Sequence, residues 1–211
     1  LGRDLGMDVI YPMMTGRFSE ALLAVNNRIS NMPQTTWSYP PKAGTLFLLG
    51  REDEAIELLG ARDTLFTHHI YYLQESAKWH YYLKEYENSK NQLKKYTTIF
   101  TDRPPIILWL SAVHEHIDGN EEGITEYLNE LNKRYEKRDS GSPAWFMALY
   151  YCHSQDYESA FNWLQKSYDQ HEMEMVWLRE EPLLIPLRND KRYLELYTKV
   201  GFPIEPYSIP E

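Results

Sequence analysis

A seven-residue motif occurs twice near the start of the chain. GRFSEAL at 16–22 and GREDEAI at 50–56 both read Gly-Arg-x-x-Glu-Ala-aliphatic, and their alanines, Ala21 and Ala55, lie 34 positions apart. Steps of 34, 34 and then 37 from Ala55 lead to further small residues: Ser89, Gly123 and Ala160. A small residue recurring at this period indicates an internal repeat of about 34 residues, the size of a helical hairpin.

Two more sets of positions follow the same period. Four residues after each small residue comes a larger apolar one: Val25, Leu59, Leu93, Tyr127 and Leu164. Twelve residues before each small residue comes another residue with a small or medium-sized side chain: Val9, Ala43, Ala77, Ser111 and Ala148. Small side chains at both places let two antiparallel helices approach closely, while the residue at +4 fills the groove beside them. Because one hairpin cannot bury its apolar face alone, we expect stacked hairpins with a continuous core.

The spacing of apolar residues predicts helices. Between 85 and 100 they are separated by seven, three and four positions, at Tyr86, Leu93, Tyr96 and Phe100. Such spacing places them on one face of a helix. Helix-breaking residues stand between the units, at Pro33, Pro40, Pro41, Pro104, Pro105 and Pro143. No useful length of alternating strand pattern appears, so the predicted fold class is all-α.

Composition excludes several classes of function. The formal net charge is −9, which is unsuitable for neutralising the phosphates of a nucleic acid. The strongly apolar run at 106–113 is too short for a membrane helix, which needs about 20 residues. A single cysteine, Cys152, cannot form an internal disulfide and suits a reducing compartment. With no signal peptide in evidence, we expect a cytoplasmic location, and the missing initiator Met leads us to expect a fragment or processed product.

The repeat resembles the tetratricopeptide (TPR) family. The fifth copy carries the pattern best, at Ala144, Met147, Ala148, Tyr151, Tyr157, Ala160, Leu164 and Ser167. The resemblance covers about residues 1–170 and implies a right-handed superhelical α-solenoid of about five hairpins. The expected units are 2–35, 36–69, 70–103, 104–138 and 141–174. A C-terminal capping segment and extended tail are expected over 175–211.

A second resemblance concerns the segment 176–203. It is similar to the closing segment of the TPR-bearing halves of bacterial class III adenylate cyclases and winged-helix transcription regulators. The matching residues are Trp177, Leu178, Pro182, Pro186, Leu187, Arg188, Asp190, Arg192 and Tyr193. Asn189 or Asp190 can cap a helix from about Lys191 to Lys199, which Gly201 would end. The simpler interpretation of this segment is a lid over the last hairpin.

The TPR resemblance also implies a binding groove on the first helices of the hairpins. The third hairpin would contribute Tyr71, Gln74, Lys78, Tyr81 and Tyr82. The fourth would contribute Leu108, Ala112, Glu115 and His116, and the fifth Trp145, Leu149, Cys152 and His153. This aromatic wall with one cation suits an extended or helical peptide. Lys78 and Tyr81 are expected to be the most exposed, and the alternative is that Tyr71, Trp145 and Leu149 only pack between hairpins.

The sequence shows few residue patterns that would support metal binding or catalysis. His114 and His116, two positions apart, point about 200° from each other on a helix and cannot share a metal ion. We expect no metal and no cofactor. The leading prediction is a non-enzymatic scaffold that binds a protein or peptide, with a homodimer as a further option. The alternatives are a regulatory or sensory module of a cyclase or winged-helix regulator, and an enzyme that uses Cys152, His153 and Glu115.

Overall fold

The computed structural model describes residues 6–202. Its α-helices are α1 Met7–Met14, α2 Phe18–Asn31, α3 Tyr39–Leu48, α4 Glu52–Asp63, α5 Ile70–Tyr82, α6 Tyr86–Ile99, α7 Pro105–Asp118, α8 Glu121–Glu136, α9 Pro143–His153, α10 Tyr157–Asp169 and α11 Lys191–Val200. Short 3-10 segments occupy Thr36–Ser38, Met173–Trp177 and Pro182–Leu187. No residue from 6 to 202 lies in a strand. The predicted all-α fold of helical hairpins with a capping helix is confirmed.

Consecutive helices pack in pairs. In the first of two compact units, which ends at Leu128, α1 packs on α2, α3 on α4, and α5 on α6. In the second unit, which begins at Asn129, α9 packs on α10. Each of these pairs falls within one of the repeat units expected from the sequence. The division between the compact units lies inside α8.

The Gly-Arg of the opening motif forms the turn of a hairpin. Gly16 and Gly50 have φ angles of 74° and 70°, a left-handed conformation that glycine adopts without steric cost. Lys84, Gly119 and Gln155 occupy the same conformation in the later hairpins. The tight turn therefore persists even where glycine is absent from the sequence.

Main-chain hydrogen bonds show where the second helix of each hairpin begins. They correct the predicted repeat register in the fourth hairpin. In each hairpin, the residue five positions after the turn residue with positive φ donates its amide hydrogen bond to the carbonyl four positions earlier, at the start of the second helix. These donors are Ala21, Ala55, Ser89, Ile124 and Ala160. The predicted register of Gly123 and Ser111 was wrong by one residue. Ile124 and Ala112 are buried in their place. The cause is one additional residue between Lys84 and the start of α7, so the steps are 34, 34, 35 and 36.

The closing segment covers the last hairpin of the second unit. The Pro182–Leu187 segment packs on α9, and α11 packs on α10. Asp190 caps α11 by accepting a bond of 2.8 Å from the Arg192 amide, and Gly201 ends the helix with a φ of 93°. The buried Tyr193 hydroxyl donates to the Leu178 carbonyl at 2.6 Å. The predicted capping helix is confirmed, and both of its ends are formed as the sequence indicated.

A search for membrane spans within the described range finds no helix that combines enough length with enough apolar character to cross a bilayer.

Candidate partner-binding face

The predicted groove residues of α5 differ in exposure. Tyr71, Gln74, Lys78 and Tyr82 are partly exposed. Tyr81 is only 6% exposed, so the expectation that it is among the most accessible residues was wrong. Its ring is covered by Tyr82, Tyr86 and Trp109, whose centroids lie 5.2, 6.2 and 5.6 Å away. Tyr81 therefore belongs to the core rather than to a binding surface.

Most of the predicted groove residues of α7 and α9 are also buried. These are Leu108, Ala112, Trp145, Leu149 and Cys152. Glu115 and His153 are partly exposed and His116 is exposed. In the corrected register the α7 positions move one residue along, to Trp109, Val113, His116 and Ile117. Trp109 and Val113 are fully buried, whereas His116 is exposed and Ile117 is 39% exposed.

The first unit presents an exposed aromatic pair. The Trp37 and Tyr71 rings stack with centroids 4.2 Å apart and planes 25° apart, and His69 meets Trp37 edge-on at 5.6 Å. Trp37 is 59% exposed although it is a large apolar residue. Stacking on Tyr71 holds the indole in one place without burying it. Such a ring can contact a partner at little cost in conformational entropy.

A second aromatic group lies further along α5. Phe47 contacts Trp79 and Tyr82 at centroid distances of 6.0 and 5.9 Å, and those two rings are 5.6 Å apart. Trp79 packs directly on Gly44 of α3, where even a Cβ atom would overlap the indole. Glycine at this place therefore sets the position of the ring. We call the partly exposed side chains Trp37, Phe47, Tyr71 and Tyr82 the aromatic face.

The polar groups on α5 are already paired. Lys78 Nζ lies 2.6 Å from Glu75 Oε2 and 4.9 Å from the centroid of the Trp79 ring. The Gln74 amide donates to the Tyr96 hydroxyl at 3.1 Å. The single cation predicted for the groove is thus neutralised by a carboxylate three residues away. The aromatic face is therefore close to neutral and does not favour an acidic peptide.

The Tyr71 hydroxyl remains protonated. Burial of this group and the nearby Glu75 carboxylate raise the pKa of Tyr71 well above its usual value. Both effects disfavour the phenolate. Tyr71 therefore stays uncharged beside the exposed Trp37 ring over the whole physiological pH range.

Sequence reasoning missed Trp37 and Phe47. Phe47 stands four residues after Ala43, the same offset that connects Tyr81 to Ala77, so applying the register to the second hairpin would have found it. Trp37 lies in the 3-10 segment before α3. No helical register extends to that segment, so only the packing of its ring on Tyr71 reveals its place.

Two buried polar clusters stabilise the first unit. Asp63 accepts a bond of 2.8 Å from the Tyr72 hydroxyl, and His80 Nε2 lies 2.7 Å from its other carboxylate oxygen. Ser89 donates its hydroxyl to the Ala77 carbonyl at 2.8 Å, and His114 Nε2 lies 2.8 Å from the same Ser89 oxygen. Because the Ser89 proton is directed to the main chain, His114 does not act as a base for it. Both clusters join helices to each other.

The proposed catalytic use of Cys152 is not supported by its surroundings. Burial, together with the Glu181 carboxylate, raises the pKa of the Cys152 thiol to about 12. A cysteine nucleophile requires the opposite shift, because the thiolate is the reactive form. Within residues 6–202, no three His, Cys, Asp or Glu side chains are grouped as the ligands of a metal ion would be.

Comparison with known proteins gives a single distant similarity to report. No protein-family model matches the chain, and no curated protein matches it. A solved structure titled "Crystal structure of MamA" is similar with a TM-score of 0.49 and 15% sequence identity. The match covers 82% of this chain and 98% of the MamA chain.

Proposed function

We propose that this chain is a protein-interaction scaffold and that it binds a peptide segment of its partner on the aromatic face. The observation that carries the proposal is Trp37, which is 59% exposed and held by its stack on Tyr71. An exposed and positioned aromatic ring is typical of the residues that dominate binding energy at protein interfaces. The neutral Lys78–Glu75 pair favours a partner segment with apolar or aromatic side chains.

Selection from a library of displayed peptides on the full chain tests this proposal. The Trp37→Ala variant should weaken binding of the selected peptides by roughly 30-fold, as expected for an interface hot spot. Tyr11→Ala is the matched control, because Tyr11 is 52% exposed in the same unit but outside the aromatic face. Helical content measured by circular dichroism should be unchanged in both variants.

Two results would count against the proposal. If the library yields no peptide that binds, the aromatic face is not a peptide site. If the selected peptides bind Trp37→Ala and the unmodified chain equally well, the contact lies elsewhere on the molecule.

The other predictions about function remain hypotheses. A regulatory module of a cyclase or winged-helix regulator depends on the resemblance of the segment 176–203 alone. An encoded domain of either kind upstream of Leu1 would support it. The cytoplasmic location and the homodimer are likewise proposals, the second of which sedimentation analysis of the full chain would test.

A further inference from the structure

A cleft opens on the first unit, and none of its lining residues belongs to the aromatic face. It lies between the loop that follows α4 and the outer side of α6, and its volume is about 520 Å³. The lining includes His68, Asn91, Gln92, Lys94 and Lys95. This volume is within the range of known small-ligand sites, roughly 300–1,000 Å³.

The charge of the cleft is opposite to that of the chain. The sequence has 31 acidic residues against 22 Lys and Arg, yet none of the nine lining residues is Asp or Glu. Two are lysines and one is a histidine. A local group of cations in an acidic protein attracts small anions while the rest of the surface repels them.

Lys95 is held in place without being neutralised. Its Nζ donates to the Asp63 carbonyl at 3.3 Å and lies 3.5 Å from Gln92 Oε1. Gln92 itself is only 1% exposed. The Asp63 carboxylate, the acid nearest in sequence to this contact, is bonded to Tyr72 and His80 instead. The Lys95 ammonium is therefore positioned at the cleft by two neutral oxygen atoms.

The remaining donors have capacity for a ligand. Lys94 is exposed, and within the described part of the chain its ammonium makes no hydrogen bond or ion pair. His68 is exposed, and its Nδ1 lies 2.7 Å from the Thr67 hydroxyl. The lining residue Asn88 donates to the Glu85 carboxylate at 2.6 Å, so one acidic group lies beside the cleft.

We propose that this cleft binds a phosphate-type oxyanion, carried by a phosphorylated small molecule or by a phosphorylated side chain of a partner. Lysines act as point charges that suit a tetrahedral phosphate, and the Asn91 amide supplies a further donor. No arginine lines the cleft. An oxyanion here would therefore be held by lysine point charges and an amide donor rather than by the bidentate fork of an arginine.

The test is a titration of the full chain, at constant ionic strength, with three probes: inorganic phosphate, O-phosphoserine and a short phosphoserine peptide. Amide chemical shifts should change at 67–68 and 88–99. The variants Lys94→Gln and Asn91→Asp should each weaken binding about tenfold, since each removes a charge-assisted contact or adds a repulsive charge. Lys133→Gln, which removes an equal charge from an exposed lysine in the second unit, should have no effect.

The outcomes are distinct. Tighter binding of the peptide than of O-phosphoserine supports a partner side chain, and equal binding supports a free small molecule. Shifts that are absent, spread over the whole surface, or unchanged by Lys94→Gln and Asn91→Asp would overturn the proposal. Because Trp37 is untouched in these variants, this failure is separate from a failure of the aromatic face.

Discussion

Helices α5 and α9 occupy corresponding places in their hairpins but present opposite surfaces. At one position α5 has Lys78, partly exposed and paired with Glu75, whereas α9 has the buried Leu149. Four residues earlier, Gln74 is partly exposed and Trp145 is buried. The repeat fixes which side of a helix faces the groove, but it does not decide whether that side is free.

The closing segment contributes to the difference. Pro182–Leu187 packs on α9 within the second unit, and the Glu172 carboxylate accepts the Ala144 and Trp145 amides at the start of that helix. These acceptors satisfy main-chain donors that α9 cannot satisfy itself. Helix α5 has no equivalent carboxylate at its start, where the His69 ring accepts from the Tyr72 amide at 3.3 Å.

The largest expected effect compares the two corresponding positions directly. Leu149→Ala should lower the free energy of unfolding by about 2–5 kcal/mol, because it leaves a cavity in a packed core. Lys78→Ala should cost less than about 1 kcal/mol, since the charged pair that it breaks is partly solvated. Urea unfolding followed by circular dichroism measures both. Equal losses of unfolding free energy would mean that Lys78 is packed in the core as Leu149 is.

A smaller effect is expected from the glycine that positions Trp79. Gly44→Ala should destabilise the chain by about 1–3 kcal/mol, as overpacking does in other cores. Gly60→Ala is the control, because a Cβ there meets no atom. That substitution in a helix should instead stabilise by about 0.5–1 kcal/mol. If the melting temperature shifts in the same direction for both variants, the close approach of Trp79 to α3 is wrong.

The cap of α11 should matter to a similar or lesser degree. Asp190→Ala removes the side chain that accepts from the Arg192 amide and should cost about 0.5–2 kcal/mol. The neighbouring Asn189→Ala should change stability by less than about 0.5 kcal/mol, because Asn189 is exposed. Chemical unfolding of the two variants side by side would separate a cap from a general effect of the loop.

The smallest effect at neutral pH concerns the Cys152 thiol. With its pKa at about 12, the folded chain should react slowly with a thiol reagent at pH 8 and quickly once unfolded. As pH rises from about 9, the unfolded chain loses this proton while the folded chain retains it. The contribution of Cys152 to stability is therefore complete below pH 9 and lost toward pH 12. A Cys152→Ala variant without this decline would serve as the reference, and rapid labelling at pH 8 would contradict the prediction.

The sequence predicted more of the fold than of the site. Small residues such as Ala21 and Ala55 indicated the closely packed hairpins because a close approach of two helices requires them. The fourth hairpin was placed one residue out, since an insertion between hairpins leaves no mark on the pattern of small residues. At the site, Tyr71, Gln74, Lys78 and Tyr82 are partly exposed as a groove requires. Tyr81 is not, because its exposure depends on Trp109 of another helix.

Local sequence by itself determined the helices, their turns and the cap of α11. Gly16 and Asp190, for example, act through bonds to residues close in the chain. Only the tertiary structure decided which aromatic rings remain free, as Trp37 does on Tyr71. It also decided the surroundings of the α6 cleft, where Lys95 donates to the Asp63 carbonyl while the Asp63 carboxylate contacts Tyr72 and His80. Exposure and local charge depend on residues distant in sequence, whereas a helix depends mainly on its own residues.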